Sequence, residues 1–441
     1  MQLKTRREFL RSSVLGGALT WTLPSFLAET MQALHAAADG AVVQKKTCKD
    51  STILVVLQMA GGNYGLNTVV PRQNDHYYRA RPHLAVQSGT TLRLNDDFGL
   101  HPALTGFKDL YDAGHLGIVH GAGYPNPNRS HFRSTEIWQT ASDSNRNESD
   151  GWLGRYFDNA CPGSDPVRGI CIGRQMPQAF ASSHPTGICL ESPERYRSNS
   201  TGVGHNGDAG DDFYHRLNMM DAGSETAEME SAGASIGAVS GPAKPSLNPL
   251  DFIERVALDA QVSSEKVREV AQRVRNQATY PAGQLANSLR LVAQLIGGGM
   301  PTRVYYVSQG GYDTHGNQAN THQRLLSELG GSLKAFIGDL QAQGNLDRVT
   351  VMTFSEFGRR LAENANGGTD HGAAAPLFVA GAKVKAGLLG RPASLAPGDL
   401  FNGDPRFTVD FRSVYAGLLE DWLGTPSEPI LRRKFEPLHC V

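Results

Sequence analysis

The chain is poor in several features that would fix its class at once. Its 441 residues include five cysteines, Cys48, Cys161, Cys171, Cys189 and Cys440, with no C-x-x-C spacing, so a zinc knuckle is not indicated. The 42 basic and 43 acidic side chains leave a net charge of −1; no nucleic acid and no acidic membrane surface is implied as a partner. Long apolar runs are missing as well. The most apolar stretch near the start, Val14 to Leu27, is interrupted by Thr20, Thr22, Pro24 and glycines, and it is too weak for a stable membrane span. No internal repeat is evident. What remains is an ordinary balance of 40% hydrophobic and 19% charged residues, enough chain for one large α/β domain or two modest ones.

Glycine is the residue in excess, at 49, which points to tight turns around strand ends. The N-terminus is equally distinctive. Thr5-Arg6-Arg7-Glu8-Phe9-Leu10-Arg11 reads as a twin-arginine signal, with a small-residue cleavage site at Ala36-Ala37-Ala38. Residues 1–38 are expected to leave on export, with the Tat translocase as partner and a periplasmic or otherwise exported destination. No stable membrane span is expected after cleavage. That route carries proteins folded in the cytoplasm, often with a metal or cofactor already loaded. Export permits disulfides, and the run from Cys161 to Cys189 has room for a pair whose connectivity stays open.

Thr52-Ile53-Leu54-Val55-Val56-Leu57 is a continuous β-branched run, expected as a buried central strand. It ends in a glycine-rich turn, Ala60-Gly61-Gly62-Asn63-Tyr64-Gly65. Further strands are expected at 117–120, 303–307, 348–354 and 376–380, with helices at 130–140, across 249–296 and at 322–343. Residues 192–248, rich in Ser, Gly, Asn and Ala, read as a flexible surface insertion. Alternating strands and helices imply an α/β fold, a mixed, mostly parallel sheet sandwiched by helices, forming a single domain over 39–441.

Three polar motifs follow apolar strands in the last third: Gly310-Gly311-Tyr312-Asp313-Thr314-His315-Gly316, Ser355-Glu356-Phe357-Gly358-Arg359 and Gly368-Thr369-Asp370-His371-Gly372. Carboxylates and imidazoles at strand ends are how an α/β sheet builds a cation or anionic-ester site. Asp313 and His315 can face one cation, or cap a turn. Glu356 is either a ligand or one half of an ion pair with the following arginines. Arg359 suits a phosphate or sulfate group through its planar fork. His371 is the better ligand of its pair, and Asp370 either binds beside it or orients it. Earlier in the chain, Ser130 of Arg129-Ser130-His131 is a helix N-cap or a nucleophile at a helix start. His322 is expected to be a partly exposed helical histidine.

Taken together these segments resemble the bacterial DUF1501 family, exported proteins related to the alkaline phosphatase/sulfatase-like superfamily. The resemblance runs from Gly61-Gly62-Asn63-Tyr64-Gly65-Leu66-Asn67-Thr68 through Pro127-Asn128-Arg129-Ser130-His131-Phe132 and the three late motifs to Asp410-Phe411-Arg412-Ser413-Val414-Tyr415. It implies an alkaline-phosphatase-like core and metals held by Asp and His. Asp313, His315 and His371 fall on one metal's ligands, with Asp370 and Glu356 beside them and Ser130 as nearest nucleophile. Tyr64 stands where the family commonly has an aspartate ligand, and Phe357 where the superfamily has a histidine. A reduced site with one divalent ion per chain (zinc, manganese or calcium) is therefore expected. The implied substrate is an anionic ester or carbohydrate-type molecule. Two functions stay open: a metal-assisted sulfate- or phosphate-ester hydrolase, and a non-catalytic binding or assembly protein that keeps the fold.

Overall fold

Seven consecutive residues, six of them apolar, form a central strand of the sheet. Ile53–Met59 (β1) is buried at every position, and it is hydrogen-bonded on both sides, as a both-faces-covered parallel strand requires. The computed structural model describes residues 51–162, 165–182, 186–191 and 266–441. The signal segment 1–38, the insertion at 192–248 and the helix start at Phe252, Val256 and Leu258 lie outside the described residues.

The other strands are Val69–Pro71 (β2), Leu92–Arg93 (β3), Phe98–Leu100 (β4), Leu116–Gly123 (β5), Gly169–Ile172 (β6), Ile188–Leu190 (β7), Val304–Gln309 (β8), Val349–Phe354 (β9), Ala375–Gly381 (β10), Gly387–Leu389 (β11) and Val409–Asp410 (β12). A nine-stranded sheet has the order β11-β5-β10-β9-β1-β8-β6-β7, with β12 also paired to β5. Strands β9, β1, β8, β6 and β7 run parallel. Strand β10 is antiparallel to both β9 and β5. The sheet is thus mixed and mostly parallel with flanking helices, the expected class. Strands β2, β4 and β3 form a separate small antiparallel sheet.

Side-chain alternation sorts β1 onto two faces. Leu54 and Val56 enter a cluster with Trp138, Trp152, Phe354, Phe411 and Tyr415. There the Trp138 ring stacks on Phe411 at 4.2 Å and on Phe354 at 5.3 Å. Strand β9 supplies Phe354, and three helices supply the other aromatics: His131–Thr140, Trp152–Ala160 and Phe411–Gly417. The helices Gln284–Gly297 and Gln318–Ala342 pack on one another, and the second also packs on Thr105–Asp112. The expected 130–140 and 322–343 helices are present with small shifts at their ends. Strands β6 and β7, four and three residues long, carry too little pattern to be seen in the sequence.

Among the described residues, no helix is long and apolar enough to cross a membrane. Cys161 is disulfide-bonded, while Cys171, Cys189 and Cys440 are free.

Candidate metal centre

One rim of the sheet receives every polar motif. Strands β1, β8 and β9 are adjacent and parallel, so the turns after Met59, Gln309 and Phe354 emerge side by side. This is where open α/β sheets place ligands. Strand β10 runs the other way, so its N-terminal end reaches the same rim and brings His371 with it. Strand β5 ends there too and leads through 124–130 into the helix that begins at His131.

Beneath this rim lies a buried arginine. The Arg359 side chain is fully shielded from solvent. Its Nε donates to the Gly62 carbonyl at 2.9 Å, its Nη1 to Thr369 O at 2.9 Å, and its Nη2 to Gly61 O, to Tyr312 O at 3.1 Å and to Asp313 Oδ1 at 2.9 Å. The loops after β1 and β8 and the 369–372 strip are thereby tied to one guanidinium. Glycine is required in the first of them. Gly61 has φ +118° and Gly62 φ +78°, and a Cβ on Gly61 would fall 2.3 Å from the Asp313 amide nitrogen. The same Gly61 donates its N–H to Glu356 Oε1 at 2.8 Å. Tyr64 braces the loop after β8: its hydroxyl donates to Thr314 O at 2.7 Å and accepts from Thr314 N–H at 2.9 Å, with its ring under Arg359.

Above the arginine three imidazoles surround Asp313. His131 Nε2 is 3.2 Å from Asp313 Oδ2. His371 Nε2 and His315 Nε2 are each 3.2 Å from Asp313 Oδ1, and 3.0 Å from each other. His131, Asp313 and His371 each offer one ligand atom, and all three atoms lie within 4.8 Å of one another, close enough to hold a metal ion. The side chains of Asp313 and His315 are 46% exposed, against 19% for His371, so the cluster opens outward past His315. The Phe357 ring packs on His371 at 4.5 Å and on His131 at 4.8 Å, closing the inner side.

Each imidazole is held from behind by an acceptor at Nδ1. His131 Nδ1 meets Glu356 Oε1 at 2.8 Å, His315 Nδ1 meets Asp370 Oδ1 at 3.2 Å, and His371 Nδ1 meets the Arg129 carbonyl at 2.8 Å. A carbonyl or carboxylate can only accept, so each Nδ1 carries the hydrogen. In a neutral ring the Nε2 is then a bare lone pair. Two such lone pairs facing at 3.0 Å repel unless a proton or a metal ion lies between them. The Nε2 of His131 is also buried without a hydrogen-bond partner. Outer acceptors that fix the tautomer and aim Nε2 inward are the usual surroundings of metal-binding histidines.

The electrostatics favour the neutral ligand form at His371 but not at His131. Burial raises the Asp313 carboxyl, but the hydrogen bond from Arg359 and the contact with His371 outweigh it and bring the group down to about 2. Burial holds His371 below its ordinary value, toward the neutral ligand form. The hydrogen bond to Glu356 raises His131. Asp370 is lowered by hydrogen bonds from Asn364 and His315.

Several expectations change. Glu356 does not face the cation space: its Oε1 is taken by Gly61 N–H and His131 Nδ1. Asp370 stands behind His315 rather than behind His371. Arg359 has its fork filled by four carbonyls and Asp313, so no ester anion is placed on it. Ser130 is exposed at the N-cap position, and its side chain makes no capping bond. His322 is buried rather than partly exposed, its Nε2 3.3 Å from both Thr68 Oγ1 and Asn63 Oδ1. His131 was the residue missed. Its sequence neighbours read as a helix start, and nothing local shows that β9 brings Glu356 behind it.

No curated protein matches the chain. A protein in the alkaline phosphatase superfamily from Vibrio parahaemolyticus is 10% identical, with 93% of this chain and 78% of that one covered and a TM-score of 0.36. The PsFucS1 sulfatase from Pseudoalteromonas sp. is 8% identical over 93% and 73%, also at 0.36. The lipoteichoic acid synthase LtaP from Listeria monocytogenes is 8% identical over 92% and 81%, again at 0.36. At these scores the likeness adds nothing to the site's own chemistry. The family profile of DUF1501, described as a protein of unknown function, matches residues 116–398, from the start of β5 to beyond β11, and this chain therefore belongs to the DUF1501 family.

Proposed function

We propose that the protein is an exported hydrolase that cleaves a sulfate or phosphate ester with one divalent ion held by His131, Asp313 and His371. One observation carries this reading: Nε2 atoms converge on Asp313 while every Nδ1 is held by an outer acceptor. Imidazole nitrogens with one carboxylate suit zinc or manganese. Calcium, which takes about six to eight oxygen ligands, does not fit this donor set. Bound there, the ion would polarise an ester oxygen or make water a nucleophile near neutral pH.

The chain's own groups do the rest. Asp370 holds His315 Nδ1–H, leaving Nε2 beside Asp313 and His371 to take a proton from water or return one to the leaving oxygen. Phe357 keeps water from the inner faces of His131 and His371. The attacking group is water rather than Ser130, because no imidazole among the described residues lies within hydrogen-bond reach of that hydroxyl. With Arg359 consumed, the cations left near the rim are Arg129, paired with the buried Asp404, and the part-exposed Arg360.

The second reading, a binding or assembly protein that keeps the fold, is favoured by that consumed Arg359 and by Tyr64 in place of a ligand. Elemental analysis of protein purified after export separates the two. About one zinc or manganese per chain, lost in His371→Ala, together with hydrolysis of aryl phosphates or sulfates, is the expected result. A bound ion without hydrolysis would select the binding reading, and a chain that takes up no ion would sink the metal site itself.

A further inference from the structure

Away from the metal centre, Cys171 and Cys189 sit directly opposite one another. Cys171 lies in β6 and Cys189 in β7, and the two are partners in the parallel register. Opposed residues in a ladder project to the same face. Their thiols are within hydrogen-bond reach of one another. Among the described residues, strand β7 is the edge of the sheet and pairs only to β6.

We propose that Cys171 and Cys189 form a modification site, a dithiol that exchanges with an external small-molecule or protein disulfide to close a reversible cross-strand bridge. Neither residue touches the metal centre as described, so the proposal stands apart from the hydrolase reading.

The two thiols have different parts. Cys171 is buried and Cys189 only partly so. The hydrogen bond between them raises Cys171, an effect burial reinforces, and lowers Cys189. Cys189 is therefore the attacking thiolate. It attacks one sulfur of a disulfide RSSR, forming Cys189–S–S–R and releasing RS⁻, which takes up the proton Cys189 gave off. The Cys171 sulfur then attacks the Cys189 sulfur and expels the second RS⁻, which receives the Cys171 proton. Two protein thiols are oxidised, and one RSSR becomes two RSH.

The setting favours reversal. Neighbouring strands stand about 4.8 Å apart, whereas a disulfide draws its Cβ atoms to about 3.8 Å. Strand β7 must move inward to close the bridge, and it can, being a three-residue edge. The thiol contacts Cys189 Sγ to Gly173 O at 3.3 Å and Cys171 Sγ to Gln175 O at 3.6 Å are given up as it does. Oxidation thus reaches the 173–175 turn as well as the sheet edge.

The test uses the full chain treated with excess oxidised glutathione, alkylated, and mapped by mass spectrometry without reduction. We expect two thiols per chain to disappear, a single linked peptide pair joining Cys171 to Cys189, and full recovery of both thiols with a dithiol reductant. Cys440→Ser should leave this unchanged. Cys171→Ser should trap one glutathione on Cys189, and Cys189→Ser should take up none at Cys171. If both thiols alkylate fully after oxidation, or a link forms to Cys440 instead, the proposal is overturned. Because either single variant reports on the order of attack, poor folding of one does not spare it.

Discussion

Two groups of histidines lie close together in this molecule and behave as opposites. His101 and His322 are buried, their rings 5.5 Å apart, with His322 edge-on to Tyr64 at 4.8 Å. His131, His315 and His371 sit at the rim around Asp313. Tyr64 and Arg359 separate the groups, and Arg359 disfavours protonation of both His322 and His371. Burial brings His101 down to about 4 and His322 well below its ordinary value. The inner pair therefore stays neutral and has no carboxylate to face. At the rim each ring has an acceptor behind it and a bare nitrogen in front. Residue type is the same in both places; what differs is burial and the presence of a carboxylate, Asp313, among the rim imidazoles. The inner group lies within the buried fold, and the outer group is where the proposed ion would sit.

That contrast can be broken most severely at the residue between the groups. Arg359→Met should destabilise the protein by about 3–5 kcal/mol, the usual cost of leaving buried partners of a charge unpaired. Thermal or denaturant unfolding measures it, and a loss under about 1 kcal/mol would show that the arginine does not hold the rim. Next in size, His371→Ala should lower zinc or manganese affinity more than 100-fold, beyond the roughly 10–100-fold typical of outer partners. Unfolding of the metal-free protein should shift by no more than about 1 kcal/mol. His322→Phe should do the reverse, costing about 1–3 kcal/mol through its lost hydrogen bonds while metal affinity moves less than twofold. If His322→Phe abolishes metal uptake, the two groups are one site and the distinction fails.

Asp370→Asn removes an outer acceptor and keeps the shape. It should slow hydrolysis by roughly 10-fold through His315, the proton carrier, while metal affinity moves less than twofold, and parallel rate measurement and calorimetric titration would detect the split. The smallest effect concerns pH. The folded pKa of His101 lies below its unfolded value of about 6.5, so the unfolded chain binds the extra proton first. The contribution of neutral His101 is complete above that value and is lost as pH falls from about 6.5 toward about 4. His101→Phe should flatten the acid limb of a stability–pH curve over that window, and an unchanged limb would assign it elsewhere.

How much of this was written in the sequence depends on the range of the interaction. Strands β1, β8, β9 and β10 announce themselves, because each is a run of apolar residues that only a covered sheet can bury. Strands β6 and β7 do not, because Gly169–Ile172 and Ile188–Leu190 are too short to show a period. The three late motifs were legible as strand-end chemistry, and they do meet at one rim. The roles inside them were not. Whether Glu356 touches a cation or stands behind a histidine is decided by His131, 225 residues away. Arg359 looks like an anion clamp in one dimension because a sequence shows its charge and not the carbonyls of Gly61, Gly62, Tyr312 and Thr369 that fill it. Tyr64 likewise reads as a lost ligand, whereas the fold uses it as a brace for Thr314.

The reversed direction of β10 has a consequence for the order of events in the life of the protein. It delivers His371 to the rim from a different loop than those that carry His131 and Asp313. In an unfolded chain these groups are far apart, and no two of the three share a turn or a helix. On the metal reading, the ion would join a sheet already closed rather than template the fold as it does in a zinc finger. The compartment in which the chain folds, and the ions free in that compartment, would then decide which metal it carries.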